Sequence, residues 1–560
     1  MRVLLAGGRS TLAMMRAGQT QYITPHTGDH NDMHARKVIR PMRTTRLFST
    51  LAALGAVIIP VTLSAQAKAR SPVSADGVPA AMATIREADL RRDLYAFASD
   101  GMRGREAGTV DEMRASMWIA EQLRRMGVKP AGPDSSYFQW WNMLVTRVST
   151  ISSSATIAGT PLTLWKDIVP LGANIADASG ATVWAGDGSD STIDVHGKIA
   201  VVQLVAPPPS AVRTTTNTYD VRYAQAAVTA TISRMQRRGA AAIVIIADSV
   251  ADLALEPLGM IRQRGTQDVI GGAPRFANQA PPAPATAPPP RIVPTPAFLV
   301  HSSMAASLRN ASVPAELHVR LERFETPSCN IVGIIPGTDL RLRDEYVLYS
   351  SHQDHDGVRF IVGRDSVWAG ADDNGSVSVA VLAAARAFVK QPAKRSILIV
   401  FHGAEERGLL GSRYHAAHPV VPLSQIVAVL NGDMIGRNNP DSASLLGIQP
   451  PHRNSSDLVT MALKANDLTG RFTLDSLWDR PSHPEGWYFR SDHVPYARLN
   501  VPAIEYSTNL HPDYHTPRDT PSNINYPKLT RMTQWMYLTG WFVANAPSRP
   551  AIDPGFRLER

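Results

Sequence analysis

Three apolar runs between residues 346 and 406 each lead into acidic or imidazole side chains. His352 and Asp354 stand in YVLYSSHQDHDG, Asp372 and Asp373 in WAGADDNGS, and Glu405 and Glu406 in SILIVFHGAEERGLLGS. Further on, Asp433 closes VAVLNGD and His515 lies in HPDYHTPRDT. Two imidazoles with several carboxylates are the ligand types of a borderline divalent cation, zinc foremost. The set is too large for one ion and suits two that share a carboxylate. Taken singly, the pieces read as ordinary. Asp372 and Asp373 are acids at a helix start, where the dipole favours them. Glu405 and Glu406 are a solvated charge pair. A lone histidine such as His355 or His511 is expected at the surface or in a hydrogen bond rather than on a metal. Only the ordered set overturns these readings.

The elements that must position these residues follow from the pattern around them. From Asn330 onward apolar strand-like runs alternate with helix-like stretches: NIVGIIPG, EYVLYSSH, SVSVAVLAAARAFVK, SILIVFHG, IVAVLNGD, a helix near SSDLVTMALKAND, VPAIEYST, and a last helix from Tyr526. This implies an α/β fold with a mainly parallel, mixed sheet flanked by helices. Ligands of such sheets bind beyond the carboxyl ends of the strands, where the candidate residues fall. Upstream, residues 84–130 read as two amphipathic helices around the Gly-rich loop DGMRGREAGT. The second helix is expected to turn Met113, Met117, Ile119, Leu123 and Met126 to one face and to stop at Gly127. Arg103 and Arg105 have local acids to pair with and no assigned chemistry. Between about 162 and 320 short β-like runs, a helix-like stretch and Pro-rich punctuation suggest a separate β-rich module without a carboxylate/histidine cluster.

At 560 residues the chain has room for two or three domains. Its net charge of +9 is no footprint for a polyanion. Residues 1–69 hold nine Lys/Arg against two Asp/Glu, so they carry +7 and the rest only +2. No nucleic-acid partner is expected. The basic head has its own explanation. From Met42 an Arg-bearing start, an apolar run from Leu47 to about Leu63 and the A-x-A pattern Ala65–Ala67 read as a secretory signal peptide. Cleavage would leave no stable membrane insertion, and the location would be secreted or periplasmic. The single cysteine, Cys329, cannot form an internal disulfide and reads as a small buried hydrophobe.

The ordered motifs H-x-D, G-A-D-D-N-G-S, G-A-E-E-x-G-L-L-G-S, N-x-D-M-I-G and S-D-H…H-P-D-Y-H-T-P-x-D-T resemble the di-zinc metallopeptidase family of aminopeptidase Y and the secreted bacterial aminopeptidases. Glutamate carboxypeptidase and transferrin receptor are more distant relatives. The resemblance spans about residues 84–545. It implies that His352 and Asp433 bind one zinc, Glu406 and His515 the other, and Asp373 both, with Asp372 as the adjacent alternative. Cobalt or manganese could replace zinc. It makes Glu405 the general base toward a metal-activated water and Asp354 the acid that fixes the His352 imidazole. It makes Tyr488 the oxyanion-stabilising tyrosine and Ser491, Asp492 and His493 supports behind the site. Trp487 and Phe489 are either pocket walls or core. The runs GKIAVV, RGAAAIVI and PTPAFLV resemble an inserted protease-associated domain, whose role would be shaping substrate access or partner contact. The expected organisation is a non-native upstream extension over 1–41, a signal peptide over 42–67, an N-terminal helical part of the peptidase domain over 84–160, the insertion over 161–322 and the catalytic domain over 326–546. The implied activity is removal of N-terminal residues from peptides. A carboxypeptidase or dipeptidase, glutaminyl cyclase, and a receptor-like binding protein are the alternatives.

Overall fold

The apolar runs that precede the candidate ligands become neighbouring strands. The computed structural model describes residues 77–208, 219–235, 238–273, 295–310 and 312–559. In it Ser396–His402, Tyr346–His352, Ile426–Asp433 and Ala503–Ser507 lie side by side, all parallel. Antiparallel strands extend this centre on both sides. Ser442–Leu446 pairs with Ala503–Ser507, and Leu321–Ile335 pairs with Ser396–His402 and then with Phe138–Val148. The sheet is therefore mixed, with its parallel part confined to the middle.

Strand side chains alternate between two cores, as a period of two requires. Val347, Tyr349, Ile397, Ile399, Phe401, Ala428 and Leu430 face one core. Leu348, Leu398, Val400 and Val429 face the other. With both faces covered, these strands have no reason to alternate with polar residues, which is why they read as unbroken apolar runs. The first core is closed by helices Glu87–Phe97, Val110–Met126, Val377–Lys390, Ser456–Leu468 and Tyr526–Asn545. The Val110–Met126 helix starts on Thr109, whose side chain accepts from the Asp111 amide, and stops at left-handed Gly127. Its inward face is Ala115, Ile119 and Leu123; Met117, expected there, is 63% exposed. The helical repeat of 3.6 carries position 117 away from the 115–119–123 stripe.

A second sheet holds the strands Thr160–Leu162, Ser154–Ile157, Pro314–Val319, Ala176–Trp184, Ile199–Gln203, Ala242–Ile246, Ala297–Val300 and Ile168–Pro170, in that order. It packs its own core with helices Tyr219–Met235 and Leu255–Gln263. Two details depart from the expected boundaries. The limit at 160/161 cuts the hairpin formed by Ser154–Ile157 and Thr160–Leu162. The segment Thr266–Val269 leaves this module and pairs with Phe138–Val148 of the large sheet. Residues 84–160 are thus not only helical: an 11-residue strand follows the two helices. The expected extension over 1–41, the signal peptide over 42–67 and most of the Pro-rich stretch lie outside the described residues.

Candidate metal centre

His352 and Asp433 are the last residues of their strands, and Glu405 and Glu406 open the turn just beyond His402. Asp373 lies in the Ala371–Ser376 turn that leads into helix Val377–Lys390, and His515 in the loop after Ala503–Ser507. Strands of similar length in parallel register bring these ends to one rim of the sheet.

Two constellations result, the first buried and the second partly open. His352, Glu405 and Asp433 form one; His355, Asp373, Glu406 and His515 form the other. Asp373 joins them. Its Oδ1 lies 3.2 Å from His352 Nε2 and its Oδ2 3.0 Å from His515 Nε2. His352 Nε2 is also 3.7 Å from Asp433 Oδ1 and 3.7 Å from Glu405 Oε2. His515 Nε2 and His355 Nδ1 lie 3.1 Å and 2.8 Å from Glu406 Oε1.

The chemistry of the donor set fits divalent metal. His352 Nδ1 donates to the Asp354 carbonyl at 3.1 Å, so the lone pair of Nε2 points into the cluster. His355 Nε2 is buried and has no hydrogen-bond partner among the described residues, and the contacts of His352 Nε2 and His355 Nδ1 with carboxylate oxygens fall outside hydrogen-bond geometry. Burial of so many carboxylates together is costly unless cations neutralise them. Despite that burial, His515 and His355 hold the Glu406 carboxyl well below the usual range. Glu405 goes the other way: burial first, then Asp433 and Glu406, hold its carboxyl well above that range against the pull of His352. Two adjacent glutamates thus differ in protonation tendency, as an acid–base group and a ligand would.

Buried carboxylates hold the ligand-bearing turns by their backbone. Asp354 Oδ1 and Oδ2 accept from the amides of Glu405 and Glu406 at 3.0 and 3.3 Å. Asp519 accepts from the amides of Asp372 and Asp373 at 2.9 and 3.0 Å. These are charge-assisted bonds to peptide N–H groups, among the stronger kinds available. The expected hold of Asp354 on the His352 imidazole is therefore exerted by its backbone carbonyl; its carboxylate is 3.7 Å from that ring. The other polar residues of the GADDNGS motif fasten the turn to the end of strand Ile426–Asp433. Asp372 Oδ1 accepts from Gly436 N, Asn374 Nδ2 donates to Gly432 O, and Ser376 Oγ accepts from Ile435 N. Asp372 therefore faces away from the two clusters, and Asp373 is the acid between them. Gly370 takes a left-handed φ of 58°, and a Cβ there would enter the His355 ring. Ala404, Met434 and His515 are non-glycine residues in the same region of φ. Such backbone costs ~1–3 kcal/mol each and gathers where geometry is held for function.

Several expectations change. Tyr488 is fully buried, stacked on His452 at 4.0 Å, and does not line the cavity beside the clusters. It sits in the 3₁₀ turn Trp487–Arg490, where residues three apart share a side. Trp487 and Arg490 face the cavity, which turns Tyr488 behind it. The tyrosine on the cavity is Tyr514, next to His515, whose hydroxyl accepts from Arg490 Nη2 at 2.8 Å. Its place within the HPDYHTP motif was the available signal. His355 and His511 are buried, not surface residues: His355 joins the second cluster, and His511 lies 3.7 Å from Asp372. Arg105 pairs with no local acid. It is wholly buried and donates to the carbonyls of Gln353, Ala369 and Gly370, tying the His352 segment to the Asp373 turn. Arg103 does pair locally, with Asp111 at 3.3 Å. Trp487 and Phe489 are both wall and core: they line the cavity and pack in a small apolar core with Tyr488. Ser491 Oγ accepts from Asn431, and His493 faces Glu505 at 3.0 Å, both behind the site. Burial pushes the Cys329 thiol up to about 12, as suits a packed hydrophobe.

The clusters open into a cavity of about 700 Å³. Residues 330–539 match the model of Peptidase family M28. Aminopeptidase YwaD of Bacillus subtilis (strain 168) is 29% identical over 222 residues, 38% of this chain and 44% of that protein. Leucine aminopeptidase 1 of Ajellomyces capsulatus (strain H88) is 28% identical over 229 residues, 37% of this chain and 54% of that protein. The chain thus spans about half the length of the curated relatives it matches. The aminopeptidase from Aneurinibacillus sp. strain AM-1 superposes with a TM-score of 0.51 at 18% identity, over 84% of this chain and 97% of that one. BSAP, a zinc aminopeptidase from Bacillus subtilis, gives 0.50 at 19% identity, over 82% and 96%. Those two share the fold. The match to the family M28 model is confined to the segment 330–539 of this chain.

Proposed function

We propose that this chain is a zinc-dependent exopeptidase of the aminopeptidase type, exported and acting on the N-terminal residues of peptides. The observation that carries the reading is Asp373, whose two oxygens face His352 on one side and His515 on the other. One zinc would be held by His352, Asp373 and Asp433, the other by Asp373, Glu406 and His515, with His355 beside Glu406. Zinc bound there supplies a Lewis acid for the scissile carbonyl and lowers the pKa of water. Glu405, on the cavity and inclined to hold a proton, takes one from the attacking water and returns it to the leaving amine. The Tyr514 hydroxyl, which accepts from Arg490, is free to donate its own proton toward a developing oxyanion. Asp354 and Asp519 keep the ligand turns in place. The inserted module, read as a protease-associated domain, walls one side of the cavity with Ile261 and Arg264.

The names of the relatives support the aminopeptidase choice. The apolar run after Met42 with its A-x-A pattern supports export to the periplasm or medium. Among the described residues no helix is long and apolar enough to cross a membrane. The complete set of acids and imidazoles speaks for an enzyme rather than a receptor-like protein and against glutaminyl cyclase. A carboxypeptidase or dipeptidase on the same fold is the second reading, favoured by the arginines on the cavity wall.

Chelation should abolish hydrolysis of aminoacyl arylamides, and added zinc should restore it. Glu405→Ala should keep its zinc and lose about 10²–10⁴ in turnover. Full activity in the chelated protein, or in Glu405→Ala, would overturn the reading.

A further inference from the structure

We propose that Arg264, Arg359 and Arg407 form a subsite for a carboxylate group of the substrate, beside the proposed metal centre. The proposal rests on the peptidase reading above and adds a substrate class to it. All three arginines line the cavity that also exposes Asp373, Glu405 and Glu406. They come from three separate parts of the chain. Arg264 follows helix Leu255–Gln263 of the inserted module, Arg359 lies on the hairpin strand Gly357–Val362, and Arg407 follows Glu406 directly.

Among the described residues, two carboxylates pair with these three guanidinium groups. Arg264 Nη1 and Arg407 Nη2 lie 3.1 and 3.3 Å from Glu106 Oε1. Arg359 pairs with Asp356, and Arg407 Nη1 lies 4.0 Å from the same carboxylate. Asp356 is shared further, since its Oδ2 is 3.3 Å from His515 Nδ1. Backbone carbonyls take up more of the donors: Arg264 donates to Asp356 O and Val358 O, and Arg359 Nε to Asp356 O. One positive charge is left over in a partly buried wall. Mutual repulsion shows in the guanidinium of Arg264, which burial first and Arg407 next push down to about 10. Burial, Arg264 and Arg407 hold Arg359 well below its usual value.

Other cavity arginines are already engaged. Arg490 bonds Glu485 and Tyr514, and Arg413 bonds Asp268. The four acids Asp373, Glu405, Glu406 and Asp433 do not cancel the surplus, because two divalent ions would balance them. A planar anion of one charge matches both the surplus and the fork geometry of the donors. Peptides supply such a group in two ways: the free C-terminal carboxylate of a dipeptide, or an acidic side chain next to the scissile bond.

The test compares kcat/KM of the zinc-loaded protein on Leu-Gly, Leu-Gly-amide and Leu-Glu-amide. At least one carboxylate-bearing peptide should exceed Leu-Gly-amide by tenfold or more, chiefly through KM. Leu-Gly in front indicates the chain terminus, and Leu-Glu-amide the side chain. Arg264→Gln should cut that preference at least fivefold, and Arg264→Lys should retain part of it. Thermal melts of both variants separate a lost contact from a lost fold. In parallel, calorimetric titration with N-acetylglycine and N-acetylglycinamide reads the subsite without turnover. The acid should bind the wild-type protein more tightly, and Arg264→Gln should remove the difference. Peptide hydrolysis without discrimination between acid and amide overturns the subsite and leaves the peptidase reading standing. Arg264-dependent binding of the acid with no peptide hydrolysed does the reverse. Neither hydrolysis nor binding overturns both.

Discussion

Replacing Arg105 by methionine removes a cation that no carboxylate pairs with and that nonetheless holds the centre together. Its guanidinium donates to Ala369 O at 2.6 Å, Gln353 O at 2.8 Å and Gly370 O at 2.9 Å, with a longer bond to Phe97 O at 3.3 Å. A bond from a charged donor contributes about 1.5–3 kcal/mol, so the three short ones together reach roughly 5–9 kcal/mol. Burial opposes this. It pushes the guanidinium from its ordinary 12.5 down to about 10, a charging cost of about 3 kcal/mol that methionine does not incur. Methionine fills much of the volume and leaves the carbonyls unsatisfied. The expected net loss is about 2–6 kcal/mol, with Arg105→Lys falling between. The bonded carbonyls belong to the segments that carry His352 and Asp373, so zinc affinity should also drop at least about tenfold, as it does when supports of metal ligands are removed. Urea unfolding followed by tryptophan fluorescence gives the first quantity, and chelator competition the second. If Arg105→Met unfolds within about 1 kcal/mol of the parent and binds zinc equally well, the clamp is not what positions the site.

Three further outcomes follow from the same geometry. His355→Ala should weaken binding at the Glu406–His515 cluster by about 10–100-fold, read as zinc per chain under chelator competition; unchanged affinity would make His355 a packing residue only. Tyr514→Phe should lower kcat by about 10²-fold with KM and folding little changed, whereas Tyr488→Phe should leave kcat near the parent value; the opposite ranking would restore Tyr488 to the reaction. Gly540 lies inside helix Tyr526–Asn545, and a Cβ there would run into the Tyr349 hydroxyl. That hydroxyl donates to carbonyls of the same helix, at Met536 and Tyr537. Gly540→Ala should therefore cost about 1–3 kcal/mol by overpacking, measured by denaturant unfolding; an unchanged or raised stability would mean the helix shifts freely.

Much of the centre was legible before any tertiary contact. Apolar runs ending at His352, His402 and Asp433 had to be strands buried on both faces, and a parallel sheet gathers such ends at one rim. The order of motifs picked out His352, Asp373, Glu405, Glu406, Asp433 and His515, which lie at strand ends or in the turns and loops that follow them. The module boundary near 160 was less accessible. Ser154–Ile157 and Thr160–Leu162 are too short to show their partner, and the pairing of Thr266–Val269 with Phe138–Val148 spans more than a hundred residues.

What the sequence by itself determined, then, is which residue types arrive at the rim and in what order. Which way each side chain turns there was decided by the fold. The 3₁₀ turn at Trp487–Arg490 rotates Tyr488 onto His452 and leaves Tyr514 on the cavity. Arg105 finds carbonyls about 250 residues away, and Arg264, Arg359 and Arg407 meet only because the inserted module folds back on the rim. Periodicity speaks for neighbours along the chain, while packing chooses among neighbours across it, and the direction of a polar side chain depends on the second.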